Sequence, residues 1–245
     1  MKKQDETGTD YLPESALAIV AHPDDIEFTC AGTLALWAGK GARIGYVLCT
    51  SGDAGIDDPE ISKAQAAQIR EKEQAAAADK IGVKEVVFLR EPDGLLQATL
   101  ALRKKIVREI RRFRPEVVMC WDPTVVWIND QMINHPDHRA AALAALDAVF
   151  PAAGQPHLYE DLEAEGFLPH KPHKLYVVSW GQANLHVDIE ETLTLKIAAL
   201  KEHTSQFKDW DPERFIKEMA SQAGREKGLK FAEAFRVISL TEYPA

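Results

Sequence analysis

Two short segments hold most of the chain's chemistry-bearing side chains at tight spacing. The first is His22-Pro23-Asp24-Asp25 and the second is Asn134-His135-Pro136-Asp137-His138. Imidazole nitrogen and carboxylate oxygen are the donors a catalytic zinc uses, three from the protein with a fourth position left to water. The histidines at 135 and 138 and the carboxylates at 24 and 25 each offer one ligand and one group left free for proton transfer, with His22 completing the set. A zinc ion in such a site lowers the pKa of its water and polarises a carbonyl, so hydrolysis is the chemistry expected. A metal-dependent phosphoesterase would draw on the same donors, and two metals in place of one would mark it. A sugar-binding protein with a structural zinc is a third reading, but a closed structural site has no use for a spare carboxylate beside its ligand.

Elements must deliver these groups to one place. Six apolar residues, Ala16 to Ala21, run straight into His22, as in a central strand of a parallel sheet covered on both faces. Pro23 ends the pairing because it has no N–H. Downstream, the pattern predicts a helix over 29–38, a strand over 44–49, a long Ala/Glu/Lys helix over 60–81 and a strand over 85–89 leaving through Pro92-Asp93-Gly94. A helix over 100–113 and a strand over 117–121 follow, then a loop to His135 and a helix over 136–150 with proline in its first turn. Beyond Pro151 the signals thin to a strand at 175–180, helices at 189–203 and 212–223 and a last strand at 235–240. Alternation of this kind predicts an α/β, Rossmann-like fold: one mainly parallel sheet with helices on both faces, in a single domain over 14–245. With strand order 3-2-1-4, the exits of the first and fourth strands flank the topological switch point, where such sheets bind ligands.

Composition bounds the rest. The chain has 245 residues, 46% hydrophobic and 27% charged, with a net charge of −9 that argues against a general nucleic-acid binder. Residues 1–13 read as a loose polar tail without the core of a signal peptide, and no run is long and apolar enough to span a membrane, so a cytoplasmic protein is expected. Cys30, Cys49 and Cys120 cannot all pair and read as reduced core thiols. His157, His170 and His173, beside prolines and lysines, read as solvated loop residues. A homo-oligomer is left open.

At the residues quoted, the sequence resembles the PIG-L or LmbE-like zinc-dependent N-deacetylases. The likeness takes in His22 to Asp25, Gly32-Thr33-Leu34-Ala35, the stretch to Gly55, Arg70 and Glu73, Ala76-Ala77-Ala78 with Ile81-Gly82, Asp93-Gly94, Arg114-Pro115 and His135 to His138. It implies that His22, Asp25 and His138 bind Zn2+ and that Asp24 is the general base. It further implies that His135, oriented by Asp137, steadies the oxyanion or protonates the leaving amine, and that Arg70 and Asp93 contact a small amino sugar substrate carrying an N-acetyl or related acyl group. One departure is plain. Mycothiol-type members of that family carry a tyrosine two positions before the second motif's first histidine, where this chain has Ile133. His203-Thr204-Ser205-Gln206 also looks like a late family motif, with a helix-end hydrogen-bonding cluster as its simplest reading.

Overall fold

A computed structural model describes residues 11–179, 181–207, 210–225 and 227–240. In chain order the elements are β1 (Ser15–Val20), α1 (Asp25–Thr29), α2 (Ala31–Gly39), β2 (Arg43–Thr50), α3 (Lys63–Ile81), β3 (Glu85–Glu91), α4 (Leu100–Phe113) and β4 (Val117–Trp121). A hairpin of β5 (Trp127–Asn129) and β6 (Met132–Ile133) leads into α5 (Pro136–Asp147), then α6 (Glu160–Ala164), β7 (Lys174–Val178), β8 (Leu185–Asp188), α7 (Leu193–Leu200), α8 (Pro212–Arg225) and β9 (Ala232–Ser239).

β1 lies near the middle of a seven-stranded sheet of order β3-β2-β1-β4-β7-β9-β8. It pairs in parallel with β2 on one side and β4 on the other, as the expected 3-2-1-4 order requires. Its alternate side chains feed two cores: Ala16, Ala18 and Val20 pack beneath α2, α3 and α7, while Leu17, Ile19 and Ala21 pack beneath α4 and α5. The unbroken apolar run from Ala16 to Ala21 is the consequence of burial on both faces. β9 runs antiparallel to both β7 and β8, so the parallel sheet ends in an antiparallel edge.

Local chemistry accounts for most boundaries. α3 starts at Lys63, three residues later than the sequence suggests, because Ser62 and Gln65 form a reciprocal capping box that stops the helix there. α5 begins with His135 as N-cap and Pro136 in the first turn. It stops as an α-helix at Asp147 and widens to a π turn at Ala148–Ala152, where the expected helix ran on to 150. The helix expected over 189–203 is shorter, since β8 occupies the residues just before it and α7 starts only at Leu193. Trp180, the expected end of the seventh strand, lies outside the described residues.

Of the expected tail, residues 1–10 lie outside the described residues, but Tyr11 to Pro13 are held in place. The Tyr11 hydroxyl donates to Glu116 Oε1 at 2.7 Å, its carbonyl accepts from Trp37 Nε1 at 3.1 Å, and its ring stacks on Tyr176. The three cysteines are buried and free. Among the described residues, no helix is long and apolar enough to cross a membrane.

One buried ion pair fixes the helix that follows the first motif. Lys196 Nζ, on α7, sits 2.6 Å from Glu233 Oε1, on β9, and also donates to the Thr29 carbonyl. Glu233 in turn accepts the Gly32 and Thr33 amides and the Thr33 hydroxyl at the start of α2, where exposed N–H groups and the helix dipole favour an anion.

Candidate active site

The exits of β1 and β4 and the turn after β3 open into a cavity of about 1170 Å³. It is lined by His22, Asp24, Asp25, Arg70, Asp93, His135 and His138, so seven of the eight expected site residues share one space, with Asp137 buried just behind. The His22 ring lies 4.8 Å from that of His135 and 5.2 Å from that of His138, across more than a hundred residues of chain. His157, His170 and His173 are absent from this wall; His170 Nε2 donates to the Pro115 carbonyl at 2.7 Å.

Asp25 is divided between the backbone and the cavity. Its Oδ2 accepts the Ala21 and His22 amides at 3.0 and 2.9 Å, which leaves Oδ1 to face His138 Nε2 at 3.0 Å. Burial works to raise this carboxyl, but the His138 and His22 imidazoles hold it well below the usual carboxylate range. His138 Nδ1 lies 3.1 Å from Asn134 Oδ1, an acceptor, so Nδ1 carries a proton and Nε2 is the nitrogen turned to Asp25. The indole of Trp121, the last residue of β4, stacks on this imidazole at 4.7 Å and 7°, fixing its plane.

His22 has a carboxylate on each side. Nε2 lies 3.0 Å from Asp93 Oδ1 and 3.3 Å from Asp137 Oδ2, while Nδ1 is 3.8 Å from Asp25 Oδ2. Burial alone would lower its pKa, yet its hydrogen bonds to Asp137 and Asp93 and the charge of Asp25 carry it up to about 10. The surroundings therefore favour a positive charge at this point.

Asp137 differs from its expected role. Its carboxylate accepts the Gly94 amide at 2.7 Å and the Leu96 amide at 3.2 Å and faces His22, so it orients His22 and not His135. Residues two apart at a helix start do not face each other, which is why the short chain distance from His135 to Asp137 misleads. His135 instead accepts the Asp137 backbone N–H on Nδ1 at 3.2 Å. Burial and the neighbouring imidazoles lower its pKa, outweighing the upward pull of Asp137. His135 is thus a neutral ring with its proton on Nε2: a hydrogen-bond donor, not an imidazolium.

Arg70 and Asp93 also face inward. Arg70 is 4% exposed, and its Nη2 donates to Asp24 Oδ2 at 3.1 Å and to the Pro23 carbonyl at 2.6 Å. Gly52 and Gly55 make room for it, since a Cβ at either would fall 2.3 Å from Nη1. Asp93 gives Oδ1 to His22 and Oδ2 to the Ala54 amide. Asp24 itself lines the cavity with its backbone at φ 91. Burial pushes its carboxyl up to about 6 against the pull of Arg70.

Residues 17–149 match the family model described as GlcNAc-PI de-N-acetylase, PIG-L. The chain belongs to the PIG-L family. Among its relatives, the diacetylchitobiose deacetylase of Thermococcus kodakarensis is 31% identical over 92% of this chain and 83% of its own length. The 1D-myo-inositol 2-acetamido-2-deoxy-alpha-D-glucopyranoside deacetylase 1 of Saccharopolyspora erythraea is 28% identical over 81% of this chain and 79% of its own. The crystal structure of N,N'-diacetylchitobiose deacetylase from Pyrococcus horikoshii superposes with a TM-score of 0.88 at 28% identity, covering 96% of this chain and 87% of that one.

The donor set fits the metal ion on which PIG-L proteins depend. Ligands ~2.0–2.1 Å from a tetrahedral zinc lie ~3.4 Å apart; Asp25 Oδ1 lies 3.0 Å from His138 Nε2, and its other oxygen, Oδ2, lies 3.8 Å from His22 Nδ1. Among the described residues, the groupings whose donor atoms all lie within 4.8 Å of one another are His22 with His135 and His138, and His22 with Asp93 and Asp137; the expected set of His22, Asp25 and His138 is not one of them. In the first, His135 spends Nδ1 as an acceptor. In the second, both carboxylates take backbone amides and flank the far nitrogen of His22, the arrangement that orients a ligating histidine.

Asn134, which stands in the second motif without an expected role, and Gln74, Glu27 and Trp121, outside both motifs, are the further residues that support the site. Asn134 was within reach of sequence reasoning, four positions before His138, and Gln74 stands four after Arg70 on the same face of α3. Nothing local marks Glu27 or Trp121. No tyrosine is among the described residues lining the cavity, in line with Ile133 standing exposed on the hairpin.

Proposed function

We propose that this protein is a zinc-dependent hydrolase that removes an N-acetyl or related acyl group from an N-acetylglucosamine-type conjugate. The observation that carries the reading is the placement of Asp24, a carboxylate held by Arg70 at the cavity wall, directly beside Asp25 and its 3.0 Å approach to His138. His22, Asp25 and His138 would hold the metal. The bound ion would lower the pKa of water and polarise the acyl carbonyl.

The chain's own groups do the rest. Asp24, fixed by the Arg70 guanidinium, takes a proton from the attacking water as the C–O bond forms. His135 donates from Nε2 to the oxygen on which charge develops, a role a neutral ring fills without first gaining a proton. Because His135 is not an imidazolium, Asp24 returns the proton to nitrogen as the C–N bond breaks, releasing amine and carboxylate. Asp93 and Asp137 hold His22 in one tautomer, and Trp121 packs against His138.

The far wall of the cavity carries Phe28, Trp210, Phe215 and Met219, and Trp210 and Phe215 meet at 5.6 Å. Flat apolar faces suit the C–H faces of sugar rings, and the volume admits more than one ring. A two-metal phosphoesterase fits less well, because the two candidate ligand groupings share His22.

Incubating purified protein with a panel of N-acetylated glucosaminides, N,N'-diacetylchitobiose included, and measuring acetate and free amine tests the proposal. Stoichiometric release of both, with about one zinc per chain that is lost in His22→Ala and His138→Ala, is expected. Failure to release acetate from any member by the zinc-replete protein would refute it.

A further inference from the structure

Three buried polar side chains lie behind the site without touching the cavity: Glu27, Gln74 and His203, each 0% exposed. They form one chain of hydrogen bonds that ends on the backbone of Asp24. The Asp24 amide donates to Gln74 Oε1 at 3.0 Å, Gln74 Nε2 donates to Glu27 Oε1 at 3.0 Å, and Glu27 Oε2 lies 3.3 Å from His203 Nε2.

The polarity of this chain is forced. The Asp24 backbone N–H only donates, so the Gln74 carbonyl must face it, and the Gln74 NH2 then turns to Glu27. His203 supplies the N–H for the other Glu27 oxygen, and Glu73 pins the segment carrying it. Its carboxylate accepts the Thr204 hydroxyl at 2.9 Å and the Ser205 amide and hydroxyl at 2.7 Å each. The late motif His203 to Gln206 is thereby bolted to α3 next to Gln74.

Asp24 needs such a clamp. At φ 91 it occupies the left-handed region, which a residue with a Cβ leaves unless its surroundings over-determine it. α3 supplies both constraints from one face: Arg70 grips the side chain and Gln74, one turn on, grips the peptide. We propose that Gln74 is a positioning residue that holds Asp24 in its strained, base-competent conformation, and that Glu27 and His203 serve by fixing which end of the Gln74 amide faces Asp24. The idea rests on Asp24 being the general base, and its test separates the two.

In zinc-loaded Gln74→Leu, kcat should fall about 10- to 100-fold, the scale of one buried hydrogen bond, with KM and zinc content as in the parent. The same substitution placed on Asp24→Ala should cost nothing more, because it acts only through Asp24. Additive losses in that double variant, or a raised KM with parental kcat, would overturn the proposal. Amide hydrogen exchange gives a readout free of activity: the Asp24 N–H should be protected in the parent and exchange at least about tenfold faster in Gln74→Leu. Equal exchange in both overturns the clamp even if Asp24 proves to be the base. Should Gln74→Leu not fold, Glu27→Gln preserves size and lets the Gln74 amide invert. It should lower kcat without changing KM or zinc, and parental kcat there would overturn the orienting role.

Discussion

Replacing Arg70 separates the substrate contact that the family resemblance implies from the grip on Asp24 that the structure shows. A substrate contact would be felt in KM, whereas a group that holds Asp24 would be felt in kcat. The guanidinium is 4% exposed and makes bonds to Asp24 Oδ2 at 3.1 Å, to the Pro23 carbonyl at 2.6 Å and to the Gly52 carbonyl at 3.4 Å. In Arg70→Lys the charge stays, but an ammonium cannot span Asp24 and both carbonyls with one planar fork. Losing one charge-assisted hydrogen bond costs about 1.5–3 kcal/mol; if that loss falls on the transition state it slows kcat about 10- to 100-fold. Arg70→Met goes further and leaves Asp24 without its cation. Stripping one partner from a buried pair costs about 3–5 kcal/mol. The lower end applies here because the Asp24 side chain is 15% exposed and cavity water screens it. Stability should therefore drop by about 3 kcal/mol, and kcat should approach the loss of about 10²- to 10⁴-fold set by removing the base itself. Steady-state kinetics on an N-acetylated glucosaminide, with denaturant unfolding alongside, reads both. A KM that climbs while kcat and stability hold would mean that Arg70 serves the substrate and that its grip on Asp24 is incidental.

Asn134→Ala removes the acceptor that fixes the His138 tautomer, and zinc affinity measured by chelator competition should weaken about 10- to 100-fold; unchanged affinity would count against His138 Nε2 as a ligand. Lys196→Met leaves Glu233 buried without its cation, so chemical denaturation should register a loss of about 3–5 kcal/mol, with the remaining folded protein still binding zinc. Gly52→Ala sets a Cβ 2.3 Å from Arg70 Nη1 at a position with φ 65; the variant should lose kcat in the same sense as Arg70→Lys, and parental turnover would show that the Gly52 loop does not position Arg70.

The sequence by itself determined the framework and the meeting place. Ala16 to Ala21 are apolar at every position, which only burial on both faces explains, and that places β1 inside a parallel sheet. Pro23 and Pro136 mark where a strand must stop and a helix can start, so both motifs sit at element ends. Alternating strands and helices then leave few topologies, and the switch point brings the motifs together. Tertiary structure alone decided which group serves which. Asp137 lies two residues from His135 yet bonds His22 at 3.3 Å, and Asp93 reaches the same ring from another strand exit at 3.0 Å. Arg70, expected from the resemblance to contact substrate, turns instead to Asp24 because two glycines of a separate loop leave it the space. Side-chain direction across such gaps is fixed by sheet register and loop path, to which neighbours in the chain contribute little. The antiparallel β9 escaped for the same reason: an apolar run announces a strand, but only its partners set its direction.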